Sequence, residues 1–325
     1  MTLRVAHGLT ISPTANPRGI GANSRVSPAG YDTPMTTTEN IRDLLNRECD
    51  VYPFHTGWSF QDLATGEMAN RFGNVVVPAA STRKVAILMT AMQAINRGEL
   101  SLEEPVTIDE RWQISDSGVF QFFRPGFTIT MHDVLLMMII VSDNACTGIV
   151  CDRLGLDAIN RFSRSVGMTG TVHREGIPQY TIMSKVASGT AVLTDARGTV
   201  NETTPDDVAK LLHGILRAST DAGFSASIGV TPALADLALE MLSRQRLRAR
   251  LPFLLPGDTR VAHKTGTSGT TYNDVGIVYR GDMPRFLLAV YTSAVPAVLP
   301  GGRAAHGATA NMIGTLARLC WDNLA

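Results

Sequence analysis

Strand-forming segments stand at both ends of this chain and helix-forming segments fill the interval, an order that few compact folds accommodate. Residues 58–62 and 74–77 read as strands on either side of the turn-forming Thr65-Gly66, and so predict an antiparallel pair. Residues 274–280 and 285–292 flank Gly281-Asp282-Met283-Pro284 and predict a hairpin. Between these ends, residues 85–95 are apolar on nearly every helical face, with Gly98 as a stop, and residues 134–141 form a second buried helix. Further helices are expected over 160–166, ending at Gly167, and after Thr204-Pro205-Asp206-Asp207. A final helix carries Met312, Ile313, Leu316, Leu319 and Cys320 on one face. Strands so far apart in sequence bury their faces by meeting in one sheet. The expected fold is therefore α+β: an antiparallel sheet from the N- and C-terminal parts with flanking helices, plus an all-helical lobe over about residues 80–215.

Residues 1–35 are rich in Pro and Gly without apolar periodicity and are expected to be a disordered extension. Met35 precedes Thr36-Thr37-Thr38-Glu39, a capping-box pattern opening a helix through Ile41, Leu44 and Leu45. One domain is expected over 36–325, with Met35 as an alternative start.

With 325 residues and 44% hydrophobic content, the chain buries a large core, and its 29 basic and 29 acidic side chains form no block of one sign. Neither nucleic acid nor a membrane surface is an expected partner; a small molecule is. The apolar run at 134–141 is less than half of the roughly 20 residues needed to span a bilayer. No basic start followed by an apolar run precedes Met35, so the sequence as written is expected to stay in the cytoplasm. Cys49, Cys146, Cys151 and Cys320 lack metal-like spacing and the seven histidines form no cluster, so reduced thiols and neither metal nor cofactor are expected.

Three short motifs carry the chemistry: Ser81-Thr82-Arg83-Lys84, Ser142-Asp143-Asn144 and Lys264-Thr265-Gly266. A serine hydroxyl is a weak nucleophile until a base takes its proton, and helical geometry sets residues i and i+3 side by side. Lys84 serves as that base if its pKa falls, which burial by the apolar run after it and a second cation at Lys264 both promote. An isolated Ser-x-x-Lys is more often a helix cap with a surface charge. Here, two of the four lysines in the chain, Lys84, Lys185, Lys210 and Lys264, fall inside the motif set. Ser142 follows a buried helix and offers a second hydroxyl to relay a proton, with Asn144 lining the cleft. Ser115-Asp116-Ser117 lacks the asparagine and the apolar helix and reads as a loop. Residues 264–268 precede an extended segment and predict an edge strand beside the nucleophile. Gly266 there allows close backbone approach, and the amides of Thr267 and Ser81 would make an oxyanion hole.

These motifs, in this order, resemble the class A β-lactamase and penicillin-binding serine hydrolase family over residues 56–325. The separation of Ser81 from Ser142 is similar to class A, as are Asp62-Leu63-Ala64-Thr65-Gly66-Glu67, Pro78-Ala79-Ala80-Ser81 and Gly126-Phe127-Thr128-Ile129-Thr130. The resemblance implies Ser81 as nucleophile, Lys84 as base, Ser142 as proton relay, Asn144 as a cleft residue, and Lys264, Thr265, Gly266 and Thr267 as the substrate-side edge. It also implies a glutamate in the following loop that activates the deacylating water. That loop reads His173-Arg174-Glu175-Gly176-Ile177-Pro178 and lacks the family's Glu-Pro-x-Leu context, with extra length around 181–200. Glu175 is the candidate, and Glu202, beside Thr203-Thr204-Pro205, reads as part of a helix cap. The expected activity is a β-lactamase-like serine hydrolase forming an acyl-enzyme at Ser81 on a lactam or amide. The alternatives are an intracellular esterase, amidase or peptidase on the same scaffold, and an acyl-binding sensor that never releases its adduct.

Overall fold

The computed structural model describes residues 36–113, 117–176 and 201–324. The expected extension over 1–35, the extra length around 181–200, and Ser115 with Asp116 lie outside the described residues.

Helix α1 (Thr37–Asp50) starts at the predicted capping box: the Thr36 hydroxyl accepts from the Glu39 amide at 3.2 Å, and the Glu39 carboxylate accepts from the Thr36 amide at 2.9 Å. It leads into β1 (His55–Asp62), which pairs antiparallel with β2 (Met68–Arg71). The partner strand therefore begins directly after the Thr65-Gly66 turn, earlier than residues 74–77. Phe72 takes a left-handed conformation, φ 52, that ends β2, and Val75 and Val76 are exposed. Of the expected strand, Val77 alone is paired, in the two-residue β3 (Val77–Pro78).

A 3₁₀ turn (Ala80–Arg83) feeds α2 (Lys84–Asn96), and Gly98 ends it at φ 71, as a left-handed cap requires. Strands β4 (Pro105–Ile108) and β5 (Phe127–Thr130) form a small pair ahead of α3 (Met131–Ile140). Helices α4 (Asn144–Leu154) and α5 (Leu156–Ser165) follow. Short β6 (Glu202–Thr203) pairs with β3, and Thr204 then caps α6 (Pro205–Thr220) by accepting from the Asp207 amide at 3.1 Å. After α7 (Ala222–Ser227) and α8 (Pro232–Ser243), the chain returns to strands β7 (Val261–Ser268), β8 (Thr271–Arg280) and β9 (Met283–Ser293), then closes with α9 (Ala305–Asn323). The β8–β9 turn is tighter than expected, since Met283 and Pro284 already pair with Arg280 and Tyr279 across a bulge.

The main sheet runs β2-β1-β9-β8-β7, every neighbour antiparallel. The two ends of the chain thus meet where β1 pairs with β9, and β7 is left as an edge. Side-chain alternation along β9 divides the core. Phe286, Leu288 and Val290 join Trp58 and Phe60 under α1 and α9, with Ile41, Leu45, Met312 and Leu316. Leu287, Ala289 and Tyr291 face the other way, toward Val208, Leu211 and Leu212 of α6 and the apolar residues of α2. Helix α2 is enclosed on nearly all sides because it sits between the sheet-side helices and α3 to α5. This puts its first residue, Lys84, in the middle of the molecule.

Gly276 of β8 lies opposite His263 of β7, and a Cβ placed there would sit 2.5 Å from the His263 Cβ and 2.9 Å from the Ala262 carbonyl oxygen. Gly276→Ala is expected to cost about 1–3 kcal/mol through forced separation of the two strands, measured as a lower urea midpoint. An unchanged midpoint would show that the pair relaxes freely.

Candidate active site

The nucleophile turn is built by contacts from three directions. Asn201 O accepts from the Ala79 amide at 2.8 Å, Asn273 of β8 donates its side-chain amide to Pro78 O at 3.0 Å, and the Thr82 hydroxyl donates to Ala79 O at 2.7 Å. The Thr82 hydroxyl also meets the Tyr291 hydroxyl at 2.9 Å, deep in the core. These ties hold Ala80 at φ 46, a left-handed conformation that costs a non-glycine residue free energy and survives only where surrounding contacts over-determine it. Ser81 follows, half-buried, on the 3₁₀ turn. In that geometry residues i and i+3 eclipse, so Ser81 and Lys84 share one side of the turn more directly than an α-helix would place them.

Lys84 is 1% exposed, and its ammonium is met by the second motif. Nζ donates to Ser142 O at 2.7 Å, Ser142 Oγ at 3.1 Å and Asn144 Oδ1 at 2.8 Å. Burial pushes its pKa well below that of an ordinary lysine, and the positive charges of Lys264 and then Arg83 push it the same way, against Asp143 and Cys146. Ser142 itself stands at φ 58 between the end of α3 and Asp143, which caps α4 by accepting from the Cys146 amide at 3.2 Å. The other Asp143 oxygen accepts from the amides of Val119 and Phe120 at 2.8 and 2.9 Å. Ser117, read from sequence as part of a loop, donates its hydroxyl to Ser142 O at 3.0 Å and accepts from the Asn144 amide at 3.0 Å. Ser117 is thus bound to the second motif on both its hydroxyl and its carbonyl.

The third motif lies on edge strand β7, as expected. A Cβ on Gly266 would come within 3.0 to 3.1 Å of Thr82 and Ala79 O, so glycine is what lets the edge reach the nucleophile turn. Lys264 is fully buried, donates to Thr265 O at 2.8 Å, and has its pKa lowered to about 7 by burial, with Arg250 adding to the shift and Asp274 opposing it. Thr265 is buried and Thr267 exposed on the same edge. Arg250, from the connection before β7, was not singled out by sequence. It is 7% exposed and donates to Gly266 O at 2.9 Å, to Asn273 O and to the Thr267 hydroxyl, fixing the strand end that follows Gly266. No motif flags an arginine so far from its target; only the β7–β8 pairing brings it in.

Glu175 is brought to this cluster through its backbone. The Glu175 amide donates to Asn201 Oδ1 at 3.3 Å, and Arg83 donates to Glu175 O at 2.8 Å and to Gly176 O. Arg83 is 5% exposed; burial lowers its pKa, while the Cys151 thiol and then the Glu175 carboxylate support its charge. Glu202, read from sequence as part of a helix cap, lies in β6 instead: it pairs with Arg174 at 2.7 Å and joins Val172 in a β-bridge, and Thr204 is the residue that caps α6. Ser81, Lys84, Ser142, Asn144, Lys264, Thr265 and Gly266 therefore surround one nucleophile turn, with the Glu175 backbone clamped to the same turn from the opposite side.

A serine one turn from a buried lysine, with a second hydroxyl against that lysine and a lysine-bearing edge strand beside the turn, is the arrangement that serine hydrolases of the acyl-enzyme type use. The sequence profile of the Beta-lactamase enzyme family matches residues 36–324, and the chain belongs to that family. It is 25% identical over 236 residues to Beta-lactamase AER-1 of Aeromonas hydrophila, covering 72% of this chain and 71% of that one. It is 24% identical over 273 residues to Beta-lactamase VEB-1 of Pseudomonas aeruginosa, covering 78% and 79%. Among solved structures, a single-substitution variant of PBP-A, an acyl-enzyme complex with penicillin G, superposes with a TM-score of 0.70 at 26% identity over 87% of this chain and 95% of that one. The β-lactamase-like α+β fold expected from the sequence is the fold observed.

Two outcomes follow from this geometry. Gly266→Ala is expected to slow acylation of Ser81 on the order of 100-fold through displacement of the edge strand, with little change in melting temperature; parental acylation by stopped flow would disprove the close approach. The acylation rate is expected to rise with pH as Lys84 loses its proton and to fall through about pH 7 as Lys264 loses its own. In Lys264→Gln the falling limb should vanish and the rising limb move to higher pH, because a cation that disfavours protonated Lys84 is gone.

Proposed function

We propose that the protein hydrolyses the amide bond of a lactam through an acyl-enzyme at Ser81. The observation that carries this reading is Lys84: buried, depressed in pKa, and hydrogen-bonded to Ser142 and Asn144 one turn from Ser81. Neutral Lys84 takes the Ser81 proton as Oγ attacks the carbonyl carbon, and the amides of Ser81 and Thr267 receive the developing oxyanion. The Lys84 proton passes through the Ser142 hydroxyl to the leaving nitrogen, the C–N bond breaks, and an ester to Ser81 remains. In the second half, a water oxygen attacks that ester while Glu175 takes a water proton. The product carboxylate keeps the acyl carbonyl oxygen and gains the water oxygen, the bond to Ser81 Oγ breaks, and Oγ takes back the proton that Glu175 had accepted. Lys264 and Arg250 make the β7 side of the cleft electropositive, which suits an anionic substrate. The penicillin acyl-enzyme of the PBP-A variant and the β-lactamase names of the relatives support a lactam over a simple ester.

Time-resolved intact mass with penicillin G, following adduct and free penicillin together, tests the reading, with Ser81→Ala as control. The expected course is a transient adduct and loss of penicillin, both absent from Ser81→Ala. No adduct and no loss would redirect the search to other amides and esters. In Glu175→Gln the adduct should persist, whereas an adduct that persists in the parent itself would mark an acyl-binding sensor.

A further inference from the structure

The second motif and the β7 edge account for acylation. Arg83, the residue between Thr82 and Lys84, lends its charge to the lowering of the Lys84 pKa, yet its buried guanidinium donates elsewhere. Its guanidinium spans from the nucleophile turn to the backbone of the loop carrying Glu175, donating through one nitrogen to Glu175 O at 2.8 Å and through another to Gly176 O. A buried guanidinium is costly unless its donors are met, and here two loop carbonyls meet it, with the Cys151 thiol and the Glu175 carboxylate supporting its charge. Neighbouring groups leave little room for substitution. Cys151 of α4 lies against the guanidinium and against Gly176, where a Cβ would sit 3.1 Å from the Cys151 Cβ. His173, 3% exposed, has its pKa lowered to about 3 by burial and by the Arg83 charge, so it stays neutral and makes no rival ion pair. The Asn201 side chain grips the same loop from its other side, accepting from the amides of Arg174 and Glu175 at 2.9 and 3.3 Å.

We propose that Arg83 is a positioning residue for deacylation: its two-pronged clamp on the carbonyls of Glu175 and Gly176 ties the deacylating loop to the turn that carries the nucleophile. The inference rests on the reading of Glu175 as the base for the second half-reaction. Because Ser81 and Arg83 belong to one rigid turn, the clamp fixes the distance between the ester and the loop that must present water to it. A lysine at this position keeps the charge that disfavours protonated Lys84 but replaces a planar fork with a single point of donation. Charge and clamp are therefore separable.

The test uses Arg83→Lys, Arg83→Met and Glu175→Gln in the full chain with penicillin G, reading acylation and deacylation rates separately by intact mass, with amide hydrogen exchange at residues 173–176. In Arg83→Lys, acylation should stay within a few-fold of the parent with the same pH profile, while deacylation slows on the order of 100-fold and exchange at 173–176 quickens. Arg83→Met should show the same slow deacylation, with its acylation limb moved to higher pH. Should Arg83→Met fail to fold, Arg83→Lys decides alone. Arg83→Lys clearing its adduct at the parental rate overturns the proposal, as does acylation falling in step with deacylation. If Glu175→Gln clears its adduct normally while Arg83→Lys traps it, the clamp stands and the assignment of Glu175 falls. If Glu175→Gln traps and Arg83→Lys clears, the clamp falls and Glu175 stands. If penicillin G labels none of them, unchanged exchange at 173–176 in Arg83→Lys overturns the clamp by itself.

Discussion

Burying positive charge beside a serine is the constraint that organises this molecule. Arg83, Lys84 and Lys264 are all within 5% of full burial, and each would leave the interior if its surroundings did not supply oxygen atoms. Lys84 draws the carbonyl, hydroxyl and amide oxygens of Ser142 and Asn144; Arg83 draws two loop carbonyls; Lys264 draws the carbonyl of Thr265. The demands of Lys84 and Arg83 pull separate elements toward the same short turn, whereas the Lys264 bond stays within β7. The electrostatic strain left over appears as lowered lysine pKa values, which is the property that turns an ammonium into a base.

The sheet supplies the rigidity against which those demands act. Joining the first and last strands of the chain closes the fold, and β9 at its centre sends alternate side chains to two separate cores. Tyr291 connects that centre to the site, because its hydroxyl meets Thr82 within the nucleophile turn. Asn273 does the same from β8, giving its amide to Pro78 O and accepting from the Thr292 amide at 3.0 Å. The strained φ of Ala80 persists because strands on one side and the Asn201 segment on the other leave the turn no alternative path.

What the sequence disclosed and what it hid divide along physical lines. Helix α2, the β8–β9 hairpin and the caps at Thr36 and Thr204 were legible because they depend on neighbours within a few residues. Ser81, Lys84, Ser142 and Lys264 were legible as motifs, since each sits with its chemical partners in a short run of sequence. The β2 strand was misplaced because Val75, Val76 and Val77 carry stronger extended propensity than Met68-Ala69-Asn70-Arg71, and pairing with β1 overrode it. Arg250, Ser117 and Asn201 were invisible because their importance lies in carbonyls and amides distant in sequence, which no side-chain pattern records. Arg83 was in plain view inside the first motif, and nothing in its letter told which way it would point.

The pairing of β3 with β6 bears on how much length the chain tolerates between residues 176 and 201. Glu202 and Thr203 return to lie beside Pro78 and Val77, directly ahead of the nucleophile turn, while Gly176 is fastened to the far side of that turn. Both ends of the interval from 176 to 201 are therefore anchored to the same few residues. The entropic cost of lengthening a closed segment grows only logarithmically with its length, so insertions there are tolerated so long as the anchors survive. Length can therefore change between these two anchors without disturbing the contacts that hold the Ser81 turn on either side of them.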